Sequence, residues 1–196
     1  MARIQSGAVE QEALRTIAIL MASSTRTAPK AHGIDDLQTL VLDGEDMEMV
    51  AAAMEEQGKK HSGPLPAAFL RDASNIRKSG CLVLIGCKGR PKGFPATIDR
   101  PLDCGACGYK SCEQLDKARL RRGTDFGGPV CAIQSIDLGI AVGSAAKMAM
   151  ELNADNRIMY TIGATAMSLK LMDSDIILGI PISISGKSPF FDRKKS

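Results

Sequence analysis

The chain has 196 residues, of which 44% are hydrophobic and 24% are charged, and this composition excludes a disordered or fibrous protein. Its net charge of +3 is too small to indicate nucleic-acid binding, and an aromatic content of 4% leaves few side chains for base stacking. No apolar run approaches the ~18 residues that a membrane helix needs, and the first residues lack the apolar core of a secretory signal. We therefore expect a cytoplasmic protein that binds neither nucleic acid nor membrane.

The first half of the chain is predicted to contain three helices and two strands, because apolar residues recur at helical spacing in three segments and form short runs in two others. The first helix has its apolar stripe on Leu14, Ile17, Ala18 and Met21 and ends near Ser23–Thr25, and a strand over Leu37–Leu42 follows it. The second helix has its apolar stripe on Met47, Val50, Ala51 and Met54. A third helix runs through Phe69, Ala73 and Ile76, and a strand over Cys81–Cys87 comes after it. The last strand is almost continuously apolar, which indicates that both of its faces are buried.

The chain then changes character. Three prolines and two glycines between residues 89 and 103 disfavour any regular element. A long apolar helix is predicted over 132–152, followed by strands over 157–162 and 175–180 with a short helix over 164–169 between them. We therefore predict a layered α+β domain formed by residues 1–87 and 132–196, with a small insertion at 88–131.

Four of the six cysteines form the pattern C-x2-C-x4-C-x18-C, at Cys104, Cys107, Cys112 and Cys131. Three thiolates in a short glycine-containing loop, with a fourth that returns from a distance, can surround one small inorganic cluster. Gly105 and Gly108 permit a close backbone approach, and Ser111 is placed to cap a helix that carries Cys112. The pattern therefore favours an iron–sulfur site.

Other uses of these cysteines compete with a cluster. Disulfides are disfavoured in a cytoplasmic chain. Structural zinc stays open on spacing alone, although it often uses two C-x2-C pairs and the second pair is absent here. The spacing also differs from both the bacterial and the plant-type ferredoxin runs.

The segment Cys-Gly-Ala-Cys-Gly-Tyr-Lys-Ser-Cys, followed by a basic stretch and a distant cysteine, resembles the single-cluster [4Fe-4S] domain of the CGxCGxxxC type. That domain accompanies corrinoid iron–sulfur proteins and membrane electron-transport subunits. The resemblance covers residues 104–131, and it implies that Cys104, Cys107, Cys112 and Cys131 are the four cluster ligands. Cys81 and Cys87 lie six residues apart on one predicted strand and face the same side, so we interpret them as buried apolar residues, with a redox or second metal role as the alternative.

The flanking regions resemble the FMN-dependent nitroreductases. The resembling segments are the helix and turn over Leu14–Pro29, the strand Leu37–Leu42, the helix Glu45–Glu56, the helix start Asp137–Ala145 and the strand Ile177–Pro181. This resemblance implies a nitroreductase-like core and a homodimer, into whose interface Gly139 and Gly143 would pack. FMN is doubtful, because the Arg-rich R-x-S-type segment that holds the flavin phosphate in that family is missing, and Arg15 and Arg26 are poor substitutes.

Taken whole, the chain resembles an uncharacterised family of ferredoxin-domain-containing proteins nearly end to end. The name of that family supplies no reaction. Our first hypothesis is electron transfer or a redox reaction through one [4Fe-4S] cluster. The alternatives are a non-enzymatic binding or redox-sensing module with a structural cluster and, more weakly, an FMN-dependent oxidoreductase that the cluster supplies with electrons.

We expect His61 to lie in water within a polar loop. An acidic ferredoxin-type partner is expected to dock on a basic helix with Lys110, Lys117, Arg119, Arg121 and Arg122.

Overall fold

The computed structural model describes residues 3–92, 101–118 and 121–191. Its elements are α1 (Ser6–Thr27), β1 (Leu37–Leu42), α2 (Gly44–Gly58), α3 (Leu65–Arg77), β2 (Cys81–Cys87), α4 (Cys112–Lys117), β3 (Arg121–Arg122), β4 (Gly127–Gly128), α5 (Ala132–Glu151), β5 (Asp155–Asn156), α6 (Tyr160–Ser168) and β6 (Ile176–Ser183). None of the helices in these described ranges is long and apolar enough to cross a bilayer.

The main sheet is antiparallel throughout, with the strand order β1-β2-β6-β5. Strand β2 lies inside it, where Leu84 is paired with Leu40 on one side and with Gly179 on the other. All seven residues of β2 are buried. Its continuous apolar run therefore reflects a strand that is covered on both faces.

Two helical layers cover the sheet and give the chain two cores. Helices α1 and α5 pack on one face together with Cys81, Val83, Ile85 and Cys87. Helices α2, α3 and α6 pack on the other face, where the buried side chains of Leu82 and Leu84 belong to the same core. The predicted α+β layered class is confirmed, and Cys81 and Cys87 lie fully buried on the same face, as predicted.

Both strands of the first half have their predicted bounds, and the helix predicted over 132–152 is α5. The strand predicted over 157–162 is wrong. Asp155 and Asn156 form the short strand β5 beside β6, Met159 makes a single isolated bridge to Gly179 of β6, and α6 begins at Tyr160. The small residues of α6 allow a helix to lie directly against β6, and that tertiary packing decides the structure.

The described part of the predicted insertion consists of α4 and a short hairpin, in which β3 pairs with β4. The boundaries 88–131 stay a prediction. The basic stretch is not one helix, because α4 ends at Lys117 and the extended strand β3 carries Arg121 and Arg122. Arg119 lies outside the described residues.

Candidate metal centre

The four cysteines of the predicted site line one pocket. Cys131 is buried, Cys107 and Cys112 are half-buried, and Cys104 is exposed. One edge of the pocket is therefore open to solvent while its base lies in the protein.

A tight turn places the first two cysteines at this pocket. Gly105 and Gly108 have φ angles of +72° and +86°, which is left-handed backbone that glycine adopts without strain. The Gly108 N–H donates to the Gly105 carbonyl over 2.9 Å. The chain thus reverses between Cys104 and Cys107, and both line the same space.

The third cysteine is the first residue of α4. The Ser111 hydroxyl accepts a hydrogen bond from the Gln114 N–H at 3.2 Å, so the predicted N-cap is confirmed. The Asp103 carboxylate accepts from the Cys112 N–H at 2.6 Å. These two side chains satisfy backbone donors that a helix start leaves without partners, and they hold Cys112 at the pocket.

The fourth cysteine is the N-cap of the long helix α5, a placement that the sequence analysis missed. The Cys131 N–H donates to the Gly89 carbonyl at 2.7 Å, which ties this residue to the segment after β2. The Cys131 side chain makes no capping hydrogen bond, and Ala132 and Ile133 line the pocket. The positive dipole end of a long helix therefore lies at the pocket of the cysteines. The signal in the sequence was the position of Cys131 immediately before the apolar helix.

A buried lysine, which no pattern in the sequence indicated, also lines the pocket. The Lys92 side chain is 1% exposed, and its ammonium lies 3.0 Å from the Asp137 carboxylate. Lys92 lies within a stretch rich in proline and glycine that has no periodicity, so only the tertiary structure indicates its burial.

The cysteines of the pocket differ in environment from those in the core. Burial is the main cause that raises the pKa of Cys81 to about 11 and that of Cys87 to about 12. Both thiols are therefore protonated at neutral pH. At the pocket, burial together with the Asp103 carboxylate and the Cys131 sulfur raises the pKa of Cys112.

The donor set fits an iron–sulfur cluster. Among the described residues, no three His, Cys, Asp or Glu side chains form a group around one ion position. A [4Fe-4S] cluster binds each cysteine through a different iron atom, so its ligands need to line one pocket rather than meet at one point. Four cysteines around a single pocket, beside the amide groups of a helix start, satisfy that requirement.

His61 is not in water, contrary to prediction. Its side chain is 9% exposed, stacks on Phe69 and lies with Nε2 3.0 Å from the Asp125 carboxylate. Asp125 also accepts hydrogen bonds from Gln57 and from the hydroxyl of Tyr160. Burial and this carboxylate raise the pKa of Tyr160 to about 12, so its hydroxyl remains a donor. Asp125 therefore anchors the chain just before Cys131 to α2 and α6.

Arg15 and Arg26, the two arginines considered as ligands of a flavin phosphate, donate hydrogen bonds to other residues of the chain. Arg15 donates to the Asp43 carboxylate over 2.5 Å. Arg26 donates to Asp35 over 3.0 Å and to the Leu37 carbonyl over 2.7 Å. Neither is presented as a free phosphate-binding group in this structure.

Three solved structures share the fold at low sequence identity. A nitroreductase with bound FMN from Desulfitobacterium hafniense superposes with a TM-score of 0.54 at 11% identity, over 95% of this chain and 82% of its own. The FMN and NADPH-dependent nitroreductase NfnB from Sphigopyxis sp. has a TM-score of 0.53 at 12% identity, over 92% and 83% of the two chains. A nitroreductase family protein from Clostridium novyi gives 0.51 at 12% identity, over 91% and 77%. The core is therefore nitroreductase-like, as predicted.

Sequence relatives identify the family. A model described as "uncharacterized protein containing a ferredoxin domain" (DUF2148) matches residues 127–193, a range that includes Cys131 but not the other three pocket cysteines. An uncharacterized protein from Archaeoglobus fulgidus is 45% identical over 186 residues, which cover 94% of each chain. The chain therefore belongs to this family of proteins with a ferredoxin domain, built on a nitroreductase-like fold.

Proposed function

We propose that the chain is an iron–sulfur redox protein with one [4Fe-4S] cluster bound by Cys104, Cys107, Cys112 and Cys131. The observation that supports this most directly is that four cysteines from three local structures, a glycine turn and two helix starts, line one pocket. The bound cluster supplies one-electron transfer.

The residues around the cysteines would hold the cluster and restrict water at its inner side. Leu115 and Cys131 are buried at 4% and 6% exposure. Cys104 stands at the open edge, where a redox partner could approach. This proposal includes no reaction on an organic substrate.

The test is chemical analysis after anaerobic purification. We expect about four iron and four sulfide per chain, and a broad visible absorption that dithionite bleaches and mild oxidant restores. Stoichiometric zinc without sulfide would contradict the proposal. A cluster that is present but cannot be reduced reversibly would favour the alternative of a structural cluster. The same spectrum reports any bound flavin.

We further propose that an acidic ferredoxin-type partner docks near the open edge. Lys110 is exposed two residues before Cys112, and Arg121 and Arg122 are exposed on β3, whereas Lys117 is paired with Glu113. Positive charge would attract an acidic donor through a field that salt screens within ~8–10 Å.

Reversal of charge at Arg121 and Arg122 should slow cluster reduction by an acidic ferredoxin about tenfold or more at low salt. The wild-type rate should fall as salt rises, and the rate of Arg121→Glu/Arg122→Glu should depend on salt much less. Stopped-flow absorbance over a salt series measures both. Lys147→Glu on the exposed end of α5 is the control and should behave as wild type. A salt-independent wild-type rate would exclude electrostatic docking.

We also propose a homodimer through α5. Ile136 and Ile140 are 54% and 40% exposed on that helix. Beside them, Gly139 and Gly143 have no described atom within 4 Å of where a Cβ would stand. A second helix can therefore approach this face closely.

Light scattering at micromolar concentration should return the mass of two chains. Ile140→Glu should shift the mass to that of one chain, because it would bury a charge in the interface. The exposed charge substitution Lys59→Glu, just after α2 on the other side of the sheet, should leave two chains. A wild-type mass of one chain would contradict the dimer.

A further inference from the structure

Lys92 is unusual because a lysine is almost never fully buried unless it is paired. Its side chain is 1% exposed, and the residue lines the pocket of the four cysteines. The carboxylates of two aspartates account for its burial. The ammonium lies 3.0 Å from Asp137 and 3.6 Å from Asp36, and 3.3 Å from the Gln134 side-chain oxygen.

These acids are held in place by other groups. The Ala31 N–H donates to both oxygens of Asp137, at 3.1 and 3.2 Å. Gln134 donates to Asp36 over 2.7 Å. Asp137 and Gln134 belong to the first two turns of α5, the helix that Cys131 begins. The lysine and the acids therefore have fixed positions relative to one cysteine of the pocket.

Charges in this network act on the pocket through protein rather than through water. Asp137 is 3% exposed, so salt and solvent screen its field far less than that of a surface group. Four thiolates around a 2+ cluster core carry a net charge of about −2, and one-electron reduction adds a further negative charge. Lys92 would favour that added charge, and Asp137 would oppose it.

We propose that Lys92 and Asp137 are positioning residues of opposite sign that together set the reduction potential at the four-cysteine pocket. This inference rests on the proposed function, because it requires the cluster. The redox step is the transfer of one electron from a low-potential one-electron donor, and no bond is formed or broken in the protein.

The test compares the midpoint potentials of Lys92→Met and Asp137→Asn with wild type, in a mediated dithionite titration followed by EPR. Each substitution removes one charge and largely keeps the shape of the side chain. We expect Lys92→Met to disfavour reduction, and Asp137→Asn to favour it, by at least tenfold in the equilibrium constant, which is 59 mV for one electron. Lys147→Met removes an exposed lysine that pairs with Glu151, and it should shift the constant by much less than tenfold.

Iron and sulfide analysis distinguishes a failure of the proposed function from a failure of the role given to Lys92 and Asp137. If wild type binds no cluster, the proposed function fails. If the wild type binds the cluster, the reduction equilibrium constants of the two variants decide. The role of Lys92 and Asp137 is overturned if both constants stay within tenfold of the wild-type value or if both change in the same direction. Should Lys92→Met fail to fold because it leaves buried carboxylates without a counter-charge, Asp137→Asn decides alone. A potential that does not rise in Asp137→Asn overturns the inference.

Discussion

Cys107→Ser is expected to lose most of its iron and sulfide, whereas Cys81→Ser should retain them. Cys107 lines the pocket and is half-buried, so its replacement leaves one iron without the soft thiolate that such clusters prefer. Cys81 is fully buried in the core on the α1 and α5 side. Its sulfur is a protonated thiol, and it does not line the pocket.

The two variants also differ in their effect on the apoprotein. Cys81→Ser buries a hydroxyl without an assured partner, which costs about 1–3 kcal/mol of folding free energy, but the metal content of folded protein should remain near that of wild type. Anaerobic iron and sulfide analysis, together with the visible spectrum, measures the difference. If Cys81→Ser lost the cluster while Cys107→Ser kept it, the ligand assignment would be wrong.

Gly163→Ala should destabilise the chain by about 3 kcal/mol or more, an unusually large effect for the addition of one methyl group. A Cβ at Gly163 would lie 1.7 Å from the Ile177 carbonyl oxygen and 2.5 Å from its carbon. Both are backbone atoms of the central strand β6, so neither can rotate away. The methyl group would force α6 off the sheet and open the core that it shares with α2 and α3.

Urea unfolding followed by circular dichroism measures this loss as a lower midpoint. Gly7→Ala in α1 is a matched control, because no described atom lies within 4 Å of its Cβ position. Its unfolding free energy should equal that of wild type or exceed it by up to about 1 kcal/mol, because alanine is the better helix former. An unchanged midpoint for Gly163→Ala would contradict the close packing of α6 on β6.

The amino-acid sequence by itself determined those parts of the protein whose signals are local. Strands β1 and β2 have the predicted bounds because short apolar runs end at turn residues. Ser111 caps α4 because a hydroxyl at that position satisfies a helix N–H. The grouping of four cysteines around one pocket was likewise predictable from their spacing and from the resemblance that it carries.

The tertiary structure alone decided the features that depend on distant partners. Helix α6 begins at Tyr160, inside the segment predicted as a strand, because its small residues permit direct contact with β6. His61 is buried because Asp125, far along the chain, reaches it. Lys92 is buried because two aspartates, one just before β1 and one on α5, converge on its ammonium. A buried charge or a close backbone contact is stabilised by groups that are distant in sequence. The pattern of apolar residues near such a residue therefore does not predict its partners.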